Sequence, residues 1–184
     1  MPSQSQIWFR HADSRFPFLW ATAAQPAARW HGTGEGPANY LADTPDGAWA
    51  EFLRHEEITD PADLVGVRRR LWAVEVPASR ADNAARPRVA ASVRAGGLAS
   101  YGECQAIARR LRARGVDALL VQSAALLAGS ARGQGMHAGT LVEASRRNGR
   151  VLVLFGRDHR GLRGWACGDA SAPTDRLLSL VAHL

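Results

Sequence analysis

The sequence of 184 residues contains no lysine, so all 23 of its basic residues are arginines. Its formal net charge is +6 and its pI is about 10.8, values that raise the question of nucleic-acid binding. The arginines are, however, spread from Arg10 to Arg176, and the densest run is only residues 68–70. An alanine- and arginine-rich sequence without lysine is also typical of a GC-rich genome. We therefore expect no specific nucleic-acid binding, although the positive charge favours anionic ligands or an acidic protein partner.

The sequence also has few cysteines and no long apolar run. Two cysteines, Cys104 and Cys167, argue against a disulfide scaffold, and no CxxC or Cys/His spacing indicates a zinc site. His11, His31 and His55 are scattered, so we expect no metal ion. No run of about 18 apolar residues predicts a transmembrane helix, and the first residues do not form a Sec-type signal peptide. We expect a cytoplasmic protein that binds no membrane.

The composition is that of an ordinary soluble globular protein, with 46% hydrophobic and 22% charged residues. The length fits one domain over residues 1–184. The residue pattern predicts a long loop over 78–102. It predicts strands over residues 6–10, 29–32, 39–42, 71–77, 117–124 and 150–156. Together with the helices described below, these strands indicate an α+β fold with a mixed β-sheet core and flanking helices.

The first predicted helix begins near residue 45. Asp43 or Thr44 can accept hydrogen bonds from its first free amides, and Pro45 suits the first turn, where a missing N–H costs nothing. Apolar residues follow at helical spacing and should face the core: Ala48, Trp49, Phe52 and Leu53.

A second helix is predicted over residues 103–115. Ser100 and Glu103 have the spacing of a capping box, which would satisfy free amides at the helix start. Gly115 can end the helix because glycine adopts the left-handed conformation without a steric penalty.

Arginine and glycine residues near position 30 suit an anionic ligand. Arg29 precedes the turn Gly-Thr-Gly-Glu-Gly, and arginine is the side chain best able to hold a phosphate in a bidentate grip. Arg10, on the first predicted strand, could bind a phosphate in the same bidentate way. The glycine turn does not join a strand to a helix with the spacing of a dinucleotide-binding fingerprint, so it is weak evidence by itself.

Three further side chains are candidates for chemistry. Glu51 lies at the border of the apolar stripe of its helix, from where a carboxylate can reach into a cleft. Tyr40 lies on a strand, and Ser123 ends the buried run Ala-Leu-Leu-Val-Gln without a GxSxG elbow. Each of the three, taken alone, is also typical of an ordinary structural residue.

The order and type of these residues resemble the RES-domain family, which is named for an arginine, a glutamate and a serine. The matching motifs are Arg29-Trp30, Tyr40-Leu41-Ala42, the helix from Pro45 to Glu51, and the strand from Leu119 to Ala124, which carries Ser123. The resemblance spans residues 6–126. Residues 127–184 are assigned to the same domain by position only, because the segment after Ser123 departs from the family pattern.

The resemblance implies a fold like that of ADP-ribosyltransferases and membership among toxins of toxin–antitoxin pairs. Such proteins destroy NAD and release nicotinamide, with water or inorganic phosphate as the acceptor in different members. NAD would therefore be the substrate, with no cofactor required, and a protein antitoxin would be the partner.

The resemblance also implies roles for individual residues. Glu51, Arg29 and Ser123 would be catalytic, and they would bind NAD together with three more residues: Arg10, His11 and Tyr40. Because nicotinamide leaves as a neutral molecule, the reaction needs no strong general acid. It needs a carboxylate that stabilises the positive charge of an oxocarbenium-like ribose.

Two alternatives remain open from the sequence. The protein could be a mono-ADP-ribosyltransferase that modifies a protein target, sharing NAD binding and differing in acceptor. It could also be a non-catalytic basic binding module, including a nucleic-acid binder with a steep salt dependence. The sequence indicates neither the acceptor nor the oligomeric state.

Overall fold

The computed structural model describes residues 5–183 of the chain. Its strands are β1 (Ser5–Asp13), β2 (Ala38–Ala42), β3 (Arg69–Pro77), β4 (Ala118–Gln122), β5 (Gln134–His137), β6 (Thr140–Glu143), β7 (Arg150–Phe155) and β8 (Arg163–Ala166). Its α-helices are α1 (Pro45–His55), α2 (Ala78–Asp82), α3 (Ala91–Ala95) and α4 (Tyr101–Arg112). Short 3₁₀ helices cover Pro61–Leu64, Leu98–Ser100 and Asp175–Leu180.

Six strands form one sheet in the order β4-β7-β2-β1-β3-β8, and each neighbouring pair of these strands is antiparallel. An isolated parallel bridge joins Ala85 to Leu119 on β4. Strands β5 and β6 pair with each other in a separate hairpin. The predicted α+β fold, a sheet core with flanking helices, is confirmed.

The sequence of strand β7 is almost continuously apolar because both faces of the strand are buried. Successive side chains of a strand point to opposite faces, and both faces of β7 are covered. Val151, Val153 and Phe155 pack in a cluster with Cys104 and Ala108 of α4. Leu152 and Leu154 pack on the other face, in a cluster with residues of β1, β3 and α2.

Helix α1 begins as its sequence predicts. The Thr44 hydroxyl caps it by accepting a hydrogen bond from the Gly47 amide at 3.0 Å, and Pro45 occupies the first turn. Four apolar side chains of the helix are buried, as predicted: Ala48, Trp49, Phe52 and Leu53. Trp49, Phe52 and Leu53 belong to a third cluster that includes Leu177 and Val181 near the end of the chain.

The sheet is weakly joined between β1 and β2. Strands β1 and β3 pair along nine residue positions, whereas the described residues of β1 and β2 share a single register pair, Phe9 with Ala42. The side chain of Arg10 reaches across this opening, with its Nη1 atom 3.5 Å from the Tyr40 carbonyl oxygen. The sheet therefore opens between its two halves.

The strand predicted over residues 29–32 is wrong. These residues form a turn in which Ala28 and His31 exchange backbone hydrogen bonds of 2.9 and 3.2 Å. The backbone groups of this turn bond to each other, and the Gln105 side chain also donates to the Ala28 and His31 carbonyls at 2.9 and 3.3 Å, so they pair with no strand. The strand predicted over 39–42 is confirmed as β2.

The long loop predicted over 78–102 is partly wrong, because α2, α3 and a 3₁₀ turn lie within it. The predicted capping box is also wrong. Ser100 has helical backbone angles and makes no side-chain cap; its hydroxyl donates to the Gly97 carbonyl and accepts from Arg29. Strands β5, β6 and β8 were not predicted, since they are short and lack a buried alternating pattern.

Gly115 ends α4 in the predicted way. Its φ angle is +83°, its amide donates to the Arg112 carbonyl at 2.9 Å, and the Val116 amide donates to Leu111 at 3.2 Å. An added Cβ atom at Gly115 would meet nothing within 4 Å. The requirement for glycine therefore comes from the backbone conformation alone.

Gly115→Ala should destabilise the protein by about 1 kcal/mol, because the alanine Cβ is strained at a positive φ angle. The matched control is Gly102→Ala, inside α4, where a Cβ atom also meets nothing within 4 Å. There alanine should stabilise by up to about 1 kcal/mol through higher helix propensity. Thermal unfolding should show Tm shifts of opposite sign, each about 2–4 °C. Shifts of the same sign would contradict this explanation.

Candidate active site

A cavity of about 800 Å³ lies where the sheet opens between β1 and β2. Its volume is within the usual range of small-molecule sites, about 300–1,000 Å³. Five of the residues predicted from the sequence line it: Arg10, His11, Arg29, Tyr40 and Glu51. The sixth, Ser123, contacts Glu51 directly. The fold thus brings all six candidates to one place.

Glu51 and Ser123 form a hydrogen-bonded pair between α1 and the end of β4. The Ser123 hydroxyl donates to Glu51 Oε1 at 2.9 Å. The Ser123 hydroxyl oxygen in turn accepts hydrogen bonds from the Ala125 and Leu126 amides at 3.1 and 3.3 Å. Because these two amides occupy the oxygen as an acceptor, its proton is directed to the carboxylate. Ser123, which is 9% exposed, therefore fixes the orientation of Glu51.

Burial raises the pKa of Glu51 above its ordinary value of 4.5. Three influences oppose the rise and favour the anion: the hydrogen bond from Ser123, the positive charges of Arg29 and Arg54, and the nearby His55. A carboxylate with a raised pKa in a cavity, held by specific partners, is typical of functional sites.

Arg29 and Arg54 are buried arginines whose guanidinium groups meet beside Glu51. Arg29 is 9% exposed and Arg54 is 6% exposed. Both donate to the Gly96 carbonyl, Arg29 at 2.7 Å and Arg54 at 3.4 Å. Arg29 also donates to the Val93 carbonyl and the Ser100 hydroxyl, at 3.2 and 3.1 Å.

Arg54 binds further backbone carbonyls. It donates to Ala124 at 2.8 Å, to Ala95 at 2.6 Å and to Ala182. It therefore connects α1 to the ends of β4 and α3 and to the last residues of the chain. Sequence reasoning missed Arg54, although its position three residues after Glu51 on the same helix face was a usable signal.

Tyr40 is held by a chain of hydrogen bonds. Its hydroxyl accepts from the Trp30 amide at 3.0 Å and lies 2.9 Å from His31 Nδ1. Because His31 Nε2 faces the Pro26 carbonyl at 2.9 Å, Nε2 carries the proton and Nδ1 accepts from Tyr40. Burial lowers the pKa of His31, which favours this neutral form. The Tyr40 hydroxyl is thus engaged within the protein, and Tyr40 is one of the residues that line the cavity.

His11 is a neutral histidine packed against α1. Burial, reinforced by the charges of Arg69 and Arg10, lowers the pKa of His11 well below its ordinary value of 6.5. Its Nδ1 atom accepts a hydrogen bond from Arg69 Nε at 2.9 Å. The ring stacks on Trp49 with centroids 6.3 Å apart. His11 therefore lines the cavity as a neutral imidazole.

Sequence reasoning also missed Arg69 and Tyr101 as cavity residues. Arg69 reaches the cavity because β3 pairs with β1 in a register that aligns Arg69 with Asp13. The Tyr101 ring lies under Arg29, with the guanidinium carbon 4.7 Å from the ring centroid. No local pattern marks either residue, since each is placed by chain segments distant in sequence.

Within residues 5–183, no set of three or more His, Cys, Asp and Glu side chains is arranged to hold a metal ion. None of the helices in this part of the chain has the length and apolar character needed to cross a bilayer.

Comparisons with known proteins point to one family. The family model of the RES domain matches residues 6–174. Among solved structures, the chain is similar to one in the crystal structure of the M. tuberculosis MbcT–MbcA toxin–antitoxin complex. The TM-score is 0.59 at 18% identity, covering 96% of this chain and 88% of that chain. At this identity the likeness shows the fold. A search of curated proteins finds no match.

The raised pKa of Glu51 predicts how its removal changes stability. A carboxyl whose pKa is higher in the folded state than in the unfolded state favours folding while it is protonated, and this contribution is lost as pH rises through the folded pKa. Ionised Glu51 therefore costs stability at neutral pH, and Glu51→Gln should have a Tm equal to or above that of the wild type there.

The difference should disappear below pH 4.5, the ordinary Glu value, where Glu51 is protonated in both states. Thermal unfolding across this pH range tests the prediction. Glu103→Gln, an exposed carboxylate on α4 outside the cavity, controls for the loss of one negative charge. A markedly lower Tm of Glu51→Gln at neutral pH would indicate a structural role instead.

Proposed function

The chain belongs to the RES-domain family, and from this premise we propose that it is a toxin-type enzyme that cleaves the nicotinamide–ribose bond of NAD. One observation carries the proposal: a carboxylate, Glu51, is oriented by Ser123 and flanked by buried guanidinium groups inside a cavity of about 800 Å³. This arrangement suits a reaction in which a sugar cation develops beside an anionic ligand.

The chemistry needs few protein groups. The bond between the nicotinamide nitrogen and ribose C1′ breaks, and its electron pair leaves with nicotinamide, which becomes neutral. The ribose is left with oxocarbenium character, and C1′ then bonds either to a phosphate oxygen or to the oxygen of a water molecule, which releases one proton to solvent. Glu51, as the anion, stabilises this positive charge and accepts hydrogen bonds from the ribose hydroxyls.

The contacts of the other predicted residues refine their proposed roles. Ser123 acts as a positioning residue, because its hydroxyl proton is directed to Glu51. Tyr40 offers its ring, and not its engaged hydroxyl, to pack against the nicotinamide or ribose. Arg29 acts through its charge and through the chain segment that it holds near the site.

An antitoxin protein is the proposed partner. The support is that a chain of similar fold was solved within a complex of a toxin with its antitoxin. With a net charge of +6, this protein would attract an acidic partner segment that closes the cavity. Co-purification with the product of the adjacent gene tests this part of the proposal.

Glu51→Gln should lower nicotinamide release by about a hundredfold or more, which corresponds to about 3 kcal/mol of lost transition-state stabilisation. The measurement is chromatography of the products after incubation of the purified protein with NAD, with and without phosphate. Labelled NAD should leave no label on protein; label retained on protein would favour ADP-ribosylation. Glu103→Gln is the matched control and should keep the wild-type rate. Wild-type release by Glu51→Gln would remove Glu51 from the mechanism.

Ser123→Ala should lower the rate by about tenfold, because a hydrogen bond to a charged group is typically worth about 1.5–3 kcal/mol and the loss is partial. Since the Ser123 hydrogen bond lowers the pKa of Glu51, the acidic limb of the pH–rate profile should also move to higher pH.

Two further variants serve as controls for Ser123→Ala. Ser123→Thr keeps a hydroxyl and should restore much of the rate and the position of the acidic limb. Ser130→Ala removes another buried serine, one that does not line the cavity, and should change neither. A lower rate in Ser123→Ala with an unshifted limb would indicate that Ser123 acts otherwise than on Glu51.

A further inference from the structure

The turn that follows β4 is held by a distant part of the chain. Strand β4 ends at Gln122, and residues 123–127, the Ser123 turn, belong to none of the eight strands. Residues 180–182, the supporting segment, lie beside this turn. Two backbone hydrogen bonds and one antiparallel bridge join them: Ala182 to Ala125 at 2.7 Å, Leu127 to Leu180 at 2.9 Å, and Leu126 with Val181. The two segments are therefore fixed to each other through their backbones.

The direction of the Ser123 hydroxyl depends on the backbone of this turn. The hydroxyl oxygen accepts from the Ala125 and Leu126 amides at 3.1 and 3.3 Å, and the hydroxyl donates to Glu51. The carbonyl of Ala125 accepts from the supporting segment, so both polar groups of this residue are engaged. A shift of the turn would therefore move the two amides and, with them, the hydrogen bond that orients Glu51.

Arg54 ties the Ser123 turn and the supporting segment to α1. Its Nη1 atom donates to two carbonyls, that of Ala124 at 2.8 Å and that of Ala182. Ala124 directly follows Ser123, and Ala182 is the residue whose amide supports the turn. One nitrogen of a residue on the helix that carries Glu51 thus binds both segments at once.

The hydrogen bonds of Arg54 are directed to the protein. Its two terminal nitrogens carry four N–H donors, and four backbone carbonyls accept from them: those of Ala95, Gly96, Ala124 and Ala182. Although Arg54 lines the cavity, these acceptors occupy its terminal donors. Its contribution to the site is therefore expected through the segments that it holds.

We propose that Arg54 and the supporting segment position the Ser123 turn for the reaction, so that the Ser123 hydroxyl stays directed at Glu51. Arg54 is then a positioning residue that acts on Glu51 through Ser123. The effect on the rate rests on the proposed function, whereas the order of the turn does not.

Arg54→Lys should lower kcat for nicotinamide release by about fivefold and leave the KM of NAD unchanged, because lysine keeps the charge but not the planar fork that spans carbonyls of separate segments. The measurement is the initial rate over a range of NAD concentrations. A raised KM with an unchanged kcat would show that Arg54 binds NAD instead, and it would overturn the proposal.

A double-mutant cycle with Ser123→Ala shows whether Arg54 acts through Ser123. If it does, the double variant should release nicotinamide at the rate of Ser123→Ala alone, because the hydroxyl that Arg54 helps to direct is already missing. A rate that falls by the product of the two single effects would overturn the proposal.

Amide hydrogen exchange measures the order of the turn without any substrate. In Arg54→Lys the amides of Ala125 and Leu126 should exchange about tenfold faster than in the wild type, because local opening costs less free energy once the turn loses a donor. The amides of β7 should keep their wild-type exchange rates. Unchanged exchange at Ala125 and Leu126 would contradict the proposal.

Arg80→Lys is the matched control. Arg80 also donates to a backbone carbonyl, that of Asp158 at 2.7 Å, and it does not line the cavity. The substitution makes the same chemical change elsewhere and should alter neither kcat nor the exchange of the Ala125 and Leu126 amides. Equal effects of Arg80→Lys and Arg54→Lys would indicate a general loss of stability and reject the positioning role.

Ala182→Pro decides the question if Arg54→Lys does not fold. Proline removes the amide that donates to Ala125, and the extended backbone of Val181, with φ −87° and ψ 133°, suits a following proline. Both kcat and the exchange of the turn should change as for Arg54→Lys, and wild-type values of both would reject the proposal. If the wild-type protein releases no nicotinamide but either variant still exchanges faster at the turn, the proposed function fails and the positioning of Ser123 stands.

Discussion

The structure around Glu51 depends on two buried guanidinium groups that share one acceptor. Arg29 and Arg54 both donate to the carbonyl of Gly96, and each also binds carbonyls of other segments. A buried cation must find such acceptors, because an unpaired one costs several kcal/mol. This requirement draws the segment after α3, the end of β4 and the last residues of the chain onto α1. The wall of the cavity beside Glu51 results from it.

The same two groups shape the electrostatics of the cavity. Their charges favour the anion of Glu51, while burial opposes it. Ser123 adds a hydrogen bond whose direction is fixed by two amides of the following turn. The carboxylate is thus held in one orientation beside positive charges, an arrangement that suits the proposed reaction through a sugar cation. The opening of the sheet between β1 and β2 provides the cavity beside this carboxylate.

The arginines of the cavity differ in their hydrogen bonding. Arg29 and Arg54 bind several acceptors of the protein, whereas, among residues 5–183, the Arg10 Nε atom has no hydrogen-bond partner and Arg69 Nε binds a neutral histidine. Composition shows only that arginine is abundant and that lysine is absent. Which arginines are available to a ligand depends on the carbonyls nearby, and these come from segments as far apart as residues 93–100 and 182.

The sequence by itself determined the α+β class, the capped start of α1, the glycine end of α4 and the identities of six residues, five of which line one cavity while the sixth, Ser123, contacts Glu51. These follow from local rules: a hydroxyl before a helix, a residue that tolerates positive φ, apolar spacing, and a family pattern in one stretch of chain. Only the tertiary structure decided that residues 29–32 form a turn and that the Ser100 hydroxyl accepts a hydrogen bond from Arg29 instead of capping α4. It also decided that Arg54 and Arg69 line the cavity. The reason is that buried polar groups must find partners wherever the folded chain supplies them, and for Ser123 and Glu51 that partner lies 72 residues away.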